Sequence, residues 1–287
     1  MTRIAYLLDD TPISGLVRTV LAHADALIGR GHTVRIVTTG TPVTWRSSSA
    51  EWLTVDEFGR LDDDVVIATS SSHAQYATLH LVDKPGDTSD KPALPLARFA
   101  IVDDEVYRPR TAPENEPPRV LLAGASQNAS NAIDDGYGAA AHARWFHQKL
   151  ELVRVSPWTP SREEPLDSVQ EFHIALTTAE MRRLMHSCDL VIAPAHADAG
   201  FDLTAAEALA SGLPLLMSTT PAHAFDDRDD FAQFGPDDNA VELGEKLIEL
   251  LSDEALRTRL RLRGREVAEQ WRADAVAERL ERALLRL

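Results

Sequence analysis

The chain has 287 residues, of which 44% are hydrophobic and 26% charged, enough to bury one large core or two ordinary ones. Its formal net charge of −16 argues against extended nucleic-acid binding, because such a surface repels phosphate backbones, and leaves room only for a local basic cleft. The single cysteine, Cys188, excludes an intrachain disulfide and a cysteine-based zinc site, and no apolar run reaches membrane-spanning length.

The opening "MTRIAYLLDDTP" is too short and too quickly acidic for a signal peptide, so a soluble cytoplasmic protein is expected. Within it, "RIAYLLDD" predicts a buried strand. Leu16, Val20, Leu21, Ala24, Leu27 and Ile28 then recur at helical spacing, and Gly29 and Gly31 close the helix. "TVRIVTTG" follows as a strand, which makes a strand–helix–strand unit with parallel pairing. "DDVVIATS" and "RFAIVDD" read as further strands, and "DKPGDTSDKPALP" between them reads as a loop. "RPRTAPENEPP", residues 108–118, has the composition of a linker.

A second series begins at "RVLLAGAS", a strand ending in a small-residue turn. "DDGYGAAAHARWFHQKL" predicts a helix weakened by two glycines, and "ELVRVS" and "EFHIAL" predict strands. "TTAEMRRLMHSC" is a helix capped by Thr177 or Thr178 with Glu180 in its first turn. Cys188 ends it as a small apolar core residue. "DLVIAPA", "LTAAEALASG" and "LPLLMST" continue as strand, helix and strand. A helix capped by Asn239 follows, then a long one expected to break near Gly264 and again near 271–273. The expected class is α/β, with two doubly wound Rossmann-like domains facing a cleft. The divisions are 1–107, a linker at 108–118, a second domain at 119–272, and a terminal helix at 273–287. Ligands of such sheets bind beyond the carboxyl ends of strands, at helix N-termini.

The segment "MRRLMHSCDLVIAPAHADAGFDLTAAEALASGLPLLMST" follows the helix–strand–turn–helix–strand order of family 4 glycosyltransferases, and "SGLVRTVLAHADALIGRGHTVRIVT" resembles that family's opening glycine turn, helix and second strand. The chain resembles a divergent, shortened member. Its compressed stretch is "LHLVDKPGDTSDKPALPLARFAIVDDEVYRPR", which implies a simplified acceptor surface in the first domain. The resemblance implies the two-domain GT-B fold, a nucleotide-diphosphate sugar as donor substrate, retention at the transferred carbon, and no metal or other cofactor.

The resemblance also assigns roles residue by residue. Glu207 matches the carboxylate that grips the donor ribose. The turn Gly200, Phe201, Asp202, Leu203 and Thr204 opens the helix whose N–H groups and dipole face the diphosphate. The family's sugar-contacting Glu falls on Ala199, with Asp198 or His196 as polar stand-ins, and Asp202 replaces a turn glycine. The cations that neutralise the diphosphate fall near Ala125 and Ser130, neither of them charged. Gly124, Ser126, Gln127, Asn128, Ser130 and Asn131 remain as neutral donors, weaker partners for a leaving phosphate. In the first domain Ser14 and Gly15 form the turn after the first strand. His73, in "TSSSHAQ", is the candidate facing acceptor or sugar, and Arg18 could lend positive charge.

Three readings follow. The first is a retaining glycosyltransferase, with Asp198 and His73 as catalytic candidates and an acceptor the sequence does not specify. The second is a catalytically degenerate binding or scaffold subunit, which expects a complete glycosyltransferase as partner. The third is a DNA-modifying sugar transferase, disfavoured by the charge unless it needs only a small flipped-base footprint.

Overall fold

The computed structural model describes residues 1–82, 89–103, 106–111, 113–127, 132–146, 148–196, 198–218, 232–234 and 239–286. The chain divides into two units: Met1–Ile101 with Gln270–Leu287, and Val102–Glu269.

The first unit holds β1 (Arg3–Leu8), α1 (Gly15–Gly29), β2 (Thr33–Thr38), β3 (Glu51–Thr54), β4 (Val65–Ala68), a 3-10 turn (Ser71–Tyr76), β5 (Leu79–Val82), β6 (Ala93–Pro95) and α2 (Leu96–Phe99). All neighbouring strands pair parallel, in the order β3-β2-β1-β4-β5-β6. β1 and β4 sit centrally and are almost wholly buried, as their unbroken apolar runs require. Two expectations fail here. "RFAIVDD" is no strand: Leu96–Phe99 forms a short helix, and Ala100, Ile101 and Val102 are buried without joining the sheet. "DKPGDTSDKPALP" is not all loop, because its end supplies the edge strand β6. The first reading judged apolarity and the second Pro, Asp and Ser content, whereas sheet membership depends on an edge being there to pair with.

The segment from Gln270 to the end belongs to this unit. Trp271 is fully buried and its indole N–H donates to the Ala97 carbonyl at 2.8 Å. The last helix, α8 (Ala273–Leu284), buries Val276, Ala277 and Leu280. One turn on from Ala277, Glu281 meets Arg30 at 2.5 Å and His32 at 3.2 Å.

The second unit repeats the plan with β7 (Arg119–Ala123), α3 (Ile133–Trp145), β8 (Glu151–Ser156), β9 (Glu171–Ile174), α4 (Thr178–Ser187), β10 (Leu190–Ala193), α5 (Leu203–Ala210), β11 (Leu215–Ser218), β12 (Ala232–Phe234), α6 (Ala240–Ser252) and α7 (Glu254–Ala268). Its parallel order is β12-β11-β10-β7-β8-β9. Counted within each unit, both sheets have the doubly wound order 3-2-1-4-5-6, whose switch point lies between strands one and four. Segment 108–118 is fastened to this unit: Arg110 donates to the Cys188 carbonyl at 2.6 Å and Asp189 at 2.7 Å, and Asn115 and Arg119 also bind the buried Asp189.

The caps at Thr177 and Asn239 are as expected, each a complete capping box with Glu180 and Glu242. The expected break at Gly264 is absent, and α7 runs through it to Ala268. There a Cβ would lie 2.7 Å from Leu209 of α5, so the glycine serves close helix packing. The glycines of α3 are explained the same way. A Cβ on Gly138 would lie 2.5 Å from the Ala240 Cβ at the start of α6.

Candidate functional site

In the second unit the switch point lies between β7 and β10, which pair directly. The loops leaving their carboxyl ends carry nearly all the donor-site candidates. After β7, Gly124 has φ +130, a conformation open to glycine and strained for other residues. Ala125 is buried, so no side chain there could reach a ligand without rearrangement. The Gln127 amide donates to the Thr159 carbonyl and is thereby fixed locally. Ser130 and Asn131, with Asn128, lie outside the described residues. Ala132, ending the loop, adopts the left-handed region at φ 46, a strained setting for a residue with a Cβ.

After β10, the Ala195 N–H donates to Ser218 Oγ on β11 at 2.8 Å, tying the start of the turn to the sheet. His196 and Asp198 are exposed, whereas Ala199 is 4% exposed. The site expected to hold a sugar-contacting carboxylate is therefore a small apolar residue packed inward. Gly200 and Thr204 are half-buried and Phe201 and Leu203 are buried. Glu207 is 1% exposed on α5, which rules out an ordinary solvent-side helix glutamate.

Asp202 changes the electrostatics of the turn. It is the N-cap of α5, and its carboxylate accepts from the Thr204 N–H at 2.8 Å and the Ala205 N–H at 3.3 Å. Those are the donors that a helix N-terminus would turn toward a phosphate. The chain's own carboxylate occupies them. Burial pushes the Asp202 carboxyl up, while the Thr204 and Ala205 N–H groups pull it down. Asp135, in the first turn of α3, is also raised, chiefly by burial, with His196 opposing the shift. The loops after β7 and β10 come to one place because the two strands pair.

A cation missed in the sequence lies beneath the β7 loop. Arg154 on β8 is fully buried. Its Nε donates to Glu164 Oε1 at 2.8 Å, its Nη1 to the Leu122 and Val155 carbonyls, and its guanidinium lies 5.6 Å from the Phe172 ring. Tyr137 donates to the same Glu164 oxygen at 2.9 Å. Burial opposes ionisation of Glu164, but Ser126, Arg154 and Tyr137 outweigh it and hold the carboxyl below its usual value. The signal was present: "ELVRVS" places an arginine between valines in the middle of a strand.

In the first unit the switch point falls between β1 and β4. Ser14 caps α1, its Oγ accepting from the Val17 N–H at 3.3 Å, and Gly15 begins the helix. Arg18 is half-buried in the first turn. His73, in the 3-10 turn after β4, pairs through Nδ1 with Asp9 at 2.9 Å and packs edge-on against Phe58, ring centroids 4.5 Å apart. Asp9, just past β1, was not singled out in the sequence. With Nδ1–H donating to it, Nε2 of a neutral imidazole becomes the acceptor.

Two parallel sheets of doubly wound order, with polar loops gathered at both switch points, define a pair of Rossmann-like units. Residues 117–253 match the family model described as Glycosyl transferases group 1. Solved structures similar over the whole chain include WaaG, a glycosyltransferase involved in lipopolysaccharide biosynthesis (18% identity, 98% of this chain and 99% of that one, TM-score 0.70). Others are a glycosyltransferase from Rickettsia africae (12%, 99% and 97%, 0.76) and HepE of Anabaena in complex with UDP and glucose (11%, 100% and 100%, 0.72). No curated protein sequence matches. The fold is that of GT-B glycosyltransferases, and the family match lies within the second unit. No described helix is long and apolar enough to cross a membrane.

Proposed function

We propose that this protein is a retaining glycosyltransferase that moves a sugar from a nucleotide-diphosphate sugar to an acceptor. The observation that carries the reading is Glu207, a carboxylate 1% exposed on the helix that follows β10 at the switch point. Its place on that helix carries the reading, because ligands of such sheets bind beyond the carboxyl ends of the strands. Its two oxygens suit the paired hydroxyls of a ribose. The diphosphate would draw on the loop after β7, since Asp202 occupies two N–H groups of α5. The UDP and glucose held by HepE support the donor class. In the transfer, the bond from the sugar carbon to the phosphate oxygen breaks. A bond to the acceptor oxygen forms on the same face, and the leaving phosphate takes the acceptor proton. His73, aligned by Asp9, would orient acceptor or sugar through Nε2.

Titration calorimetry with UDP, GDP and ADP tests the donor assignment. Binding of one of them, weakened at least roughly tenfold by Glu207→Ala through loss of charge-assisted hydrogen bonds, is the expected result. Failure of all three nucleotides to bind would overturn it. A second reading, a binding subunit without turnover, is favoured by buried Ala199 and by the Asp202 cap. Nucleotide binding without sugar release from any nucleotide sugar, including in the presence of a copurifying glycosyltransferase, would select it.

A further inference from the structure

The first unit contains a cavity of about 560 Å³ along its edge strand β6. Leu79, Leu94 and Phe99 give it an apolar floor, and Arg98, Arg279, Arg282 and Arg286 surround it. On α8 and just beyond it, Arg279, Arg282, Ala283 and Arg286 recur at i, i+3, i+4 and i+7, so they form one stripe, flanking the buried Val276 and Leu280. Four guanidiniums at one cavity are conspicuous in a chain of net charge −16.

Among the described residues, one exposed ion pair is what carboxylates give this cluster. Arg282 meets Glu278 at 3.0 Å, but both side chains are 61% exposed, so the pair is weak. Glu281 is taken by Arg30 and His32. Arg279 donates to the carbonyls of Arg98 and Gln270, which fixes its direction without cancelling its charge. Burial, then the neighbouring Arg98 and Arg282, lower its pKa, a mark of like-charge crowding that an anion would relieve. The position also separates this cavity from the proposed transfer chemistry. It reaches the amino end of β5 at Leu79, whereas Ser14 and His73 follow the carboxyl ends of β1 and β4.

We propose that this cavity binds a phosphate-headed amphiphile, with the arginines holding the phosphate dianion and Leu79, Leu94 and Phe99 holding an apolar body. Guanidinium forks match phosphate oxygens in geometry as well as charge, and the apolar floor accepts a chain that a free anion lacks.

The test is calorimetry on the full chain with dihexanoyl phosphatidic acid below its micellar concentration, beside dihexanoyl phosphatidylcholine and inorganic phosphate. The short-chain phosphatidic acid should bind at least about tenfold more tightly than either comparison ligand, one lacking the net negative head and the other the apolar body. Arg282→Gln combined with Arg286→Gln should reduce that affinity about tenfold or more while leaving the melting temperature unchanged, both side chains being exposed. Arg98→Gln is the second variant should that pair fold poorly. Equal binding of inorganic phosphate, equal binding of phosphatidylcholine, or affinity untouched in both variants would each overturn the proposal. Nucleotide binding through Glu207 is measured separately, so either assignment can fail without the other.

Discussion

Replacing Asp202 separates two effects that the structure places on one side chain. Its carboxylate satisfies the Thr204 and Ala205 N–H groups at 2.8 and 3.3 Å and so stabilises α5. It also sets a negative charge beyond β10, the strand paired with β7, whose loop is proposed to hold the donor diphosphate. A phosphate drawn to that helix end would sit roughly 6 Å from the carboxylate. At an effective dielectric of about 20, one unit charge at that distance is worth about 2–3 kcal/mol of repulsion. Solvent and salt reduce this at a half-buried site, which leaves an expected gain of about tenfold to a hundredfold in nucleotide affinity when the charge is removed. Asp202→Asn is the informative variant, because asparagine caps a helix about as well as aspartate does. It should bind the nucleotide diphosphate more tightly, with a melting temperature close to that of the parent. Asp202→Ala should show the same gain together with a stability loss of about 1 kcal/mol from the missing cap. Calorimetry at low and high salt reads both, and the gain should shrink at high salt. If Asp202→Asn binds no tighter than the parent at low salt, the diphosphate does not approach this helix end.

Other variants probe the frame. Glu164→Gln leaves Arg154 buried without its ionic partner and should destabilise by about 3–5 kcal/mol, on the order of 10 °C in melting temperature, whereas the paired change Arg154→Met with Glu164→Leu should cost less. Scanning calorimetry decides; equal losses in the two variants would contradict an uncompensated buried charge. His23, fully buried between Tyr6 and the Phe99 carbonyl, has its pKa lowered from 6.5 to about 4, chiefly by burial. The unfolded chain takes up that proton below pH 6.5 while the folded chain does not, so this contribution is complete near pH 7 and is lost as pH falls toward 4. The loss amounts to roughly 3 kcal/mol. Urea midpoints measured over that range should fall more steeply in the parent than in His23→Gln; parallel slopes would remove His23 as the cause. Gly138→Ala should destabilise by about 1–3 kcal/mol despite alanine's higher helix propensity, because its Cβ meets that of Ala240. A gain in stability on thermal melting would show that α3 and α6 part easily.

Much of the site could be read before the fold. The turn 200–204, the loop opening at Gly124 and the turn carrying His73 each follow an apolar run that reads as a central strand, and the structure places them after β10, β7 and β4; Glu207 was singled out only by the family resemblance. The resemblance also implied an acidic residue at Ala199 and a cation near Ala125, where the sequence has neither. The sequence did not show Asp9 as the partner of His73, because the two are 64 positions apart and meet only where β1 and β4 pair. Nor did it give the role of Arg154, whose charge is meaningful only once Glu164 and Tyr137 close around it.

Local chemistry in the sequence therefore determined the α/β class, the parallel strands, the caps at Thr177 and Asn239 and the positions of the ligand loops, since periodicity and capping act within a few residues. Tertiary structure alone decided the rest. It set the identical strand order of both sheets, made Ala93–Pro95 an edge strand while leaving Ala100–Val102 outside the sheet, and turned the helix glycines into packing contacts. It also brought Arg98 to the arginines of α8 and gave Asp202 to the helix rather than to a ligand. Each of these depends on which surfaces meet across long stretches of chain, a matter of burial, sheet edges and charge at close range that no short window of residues contains.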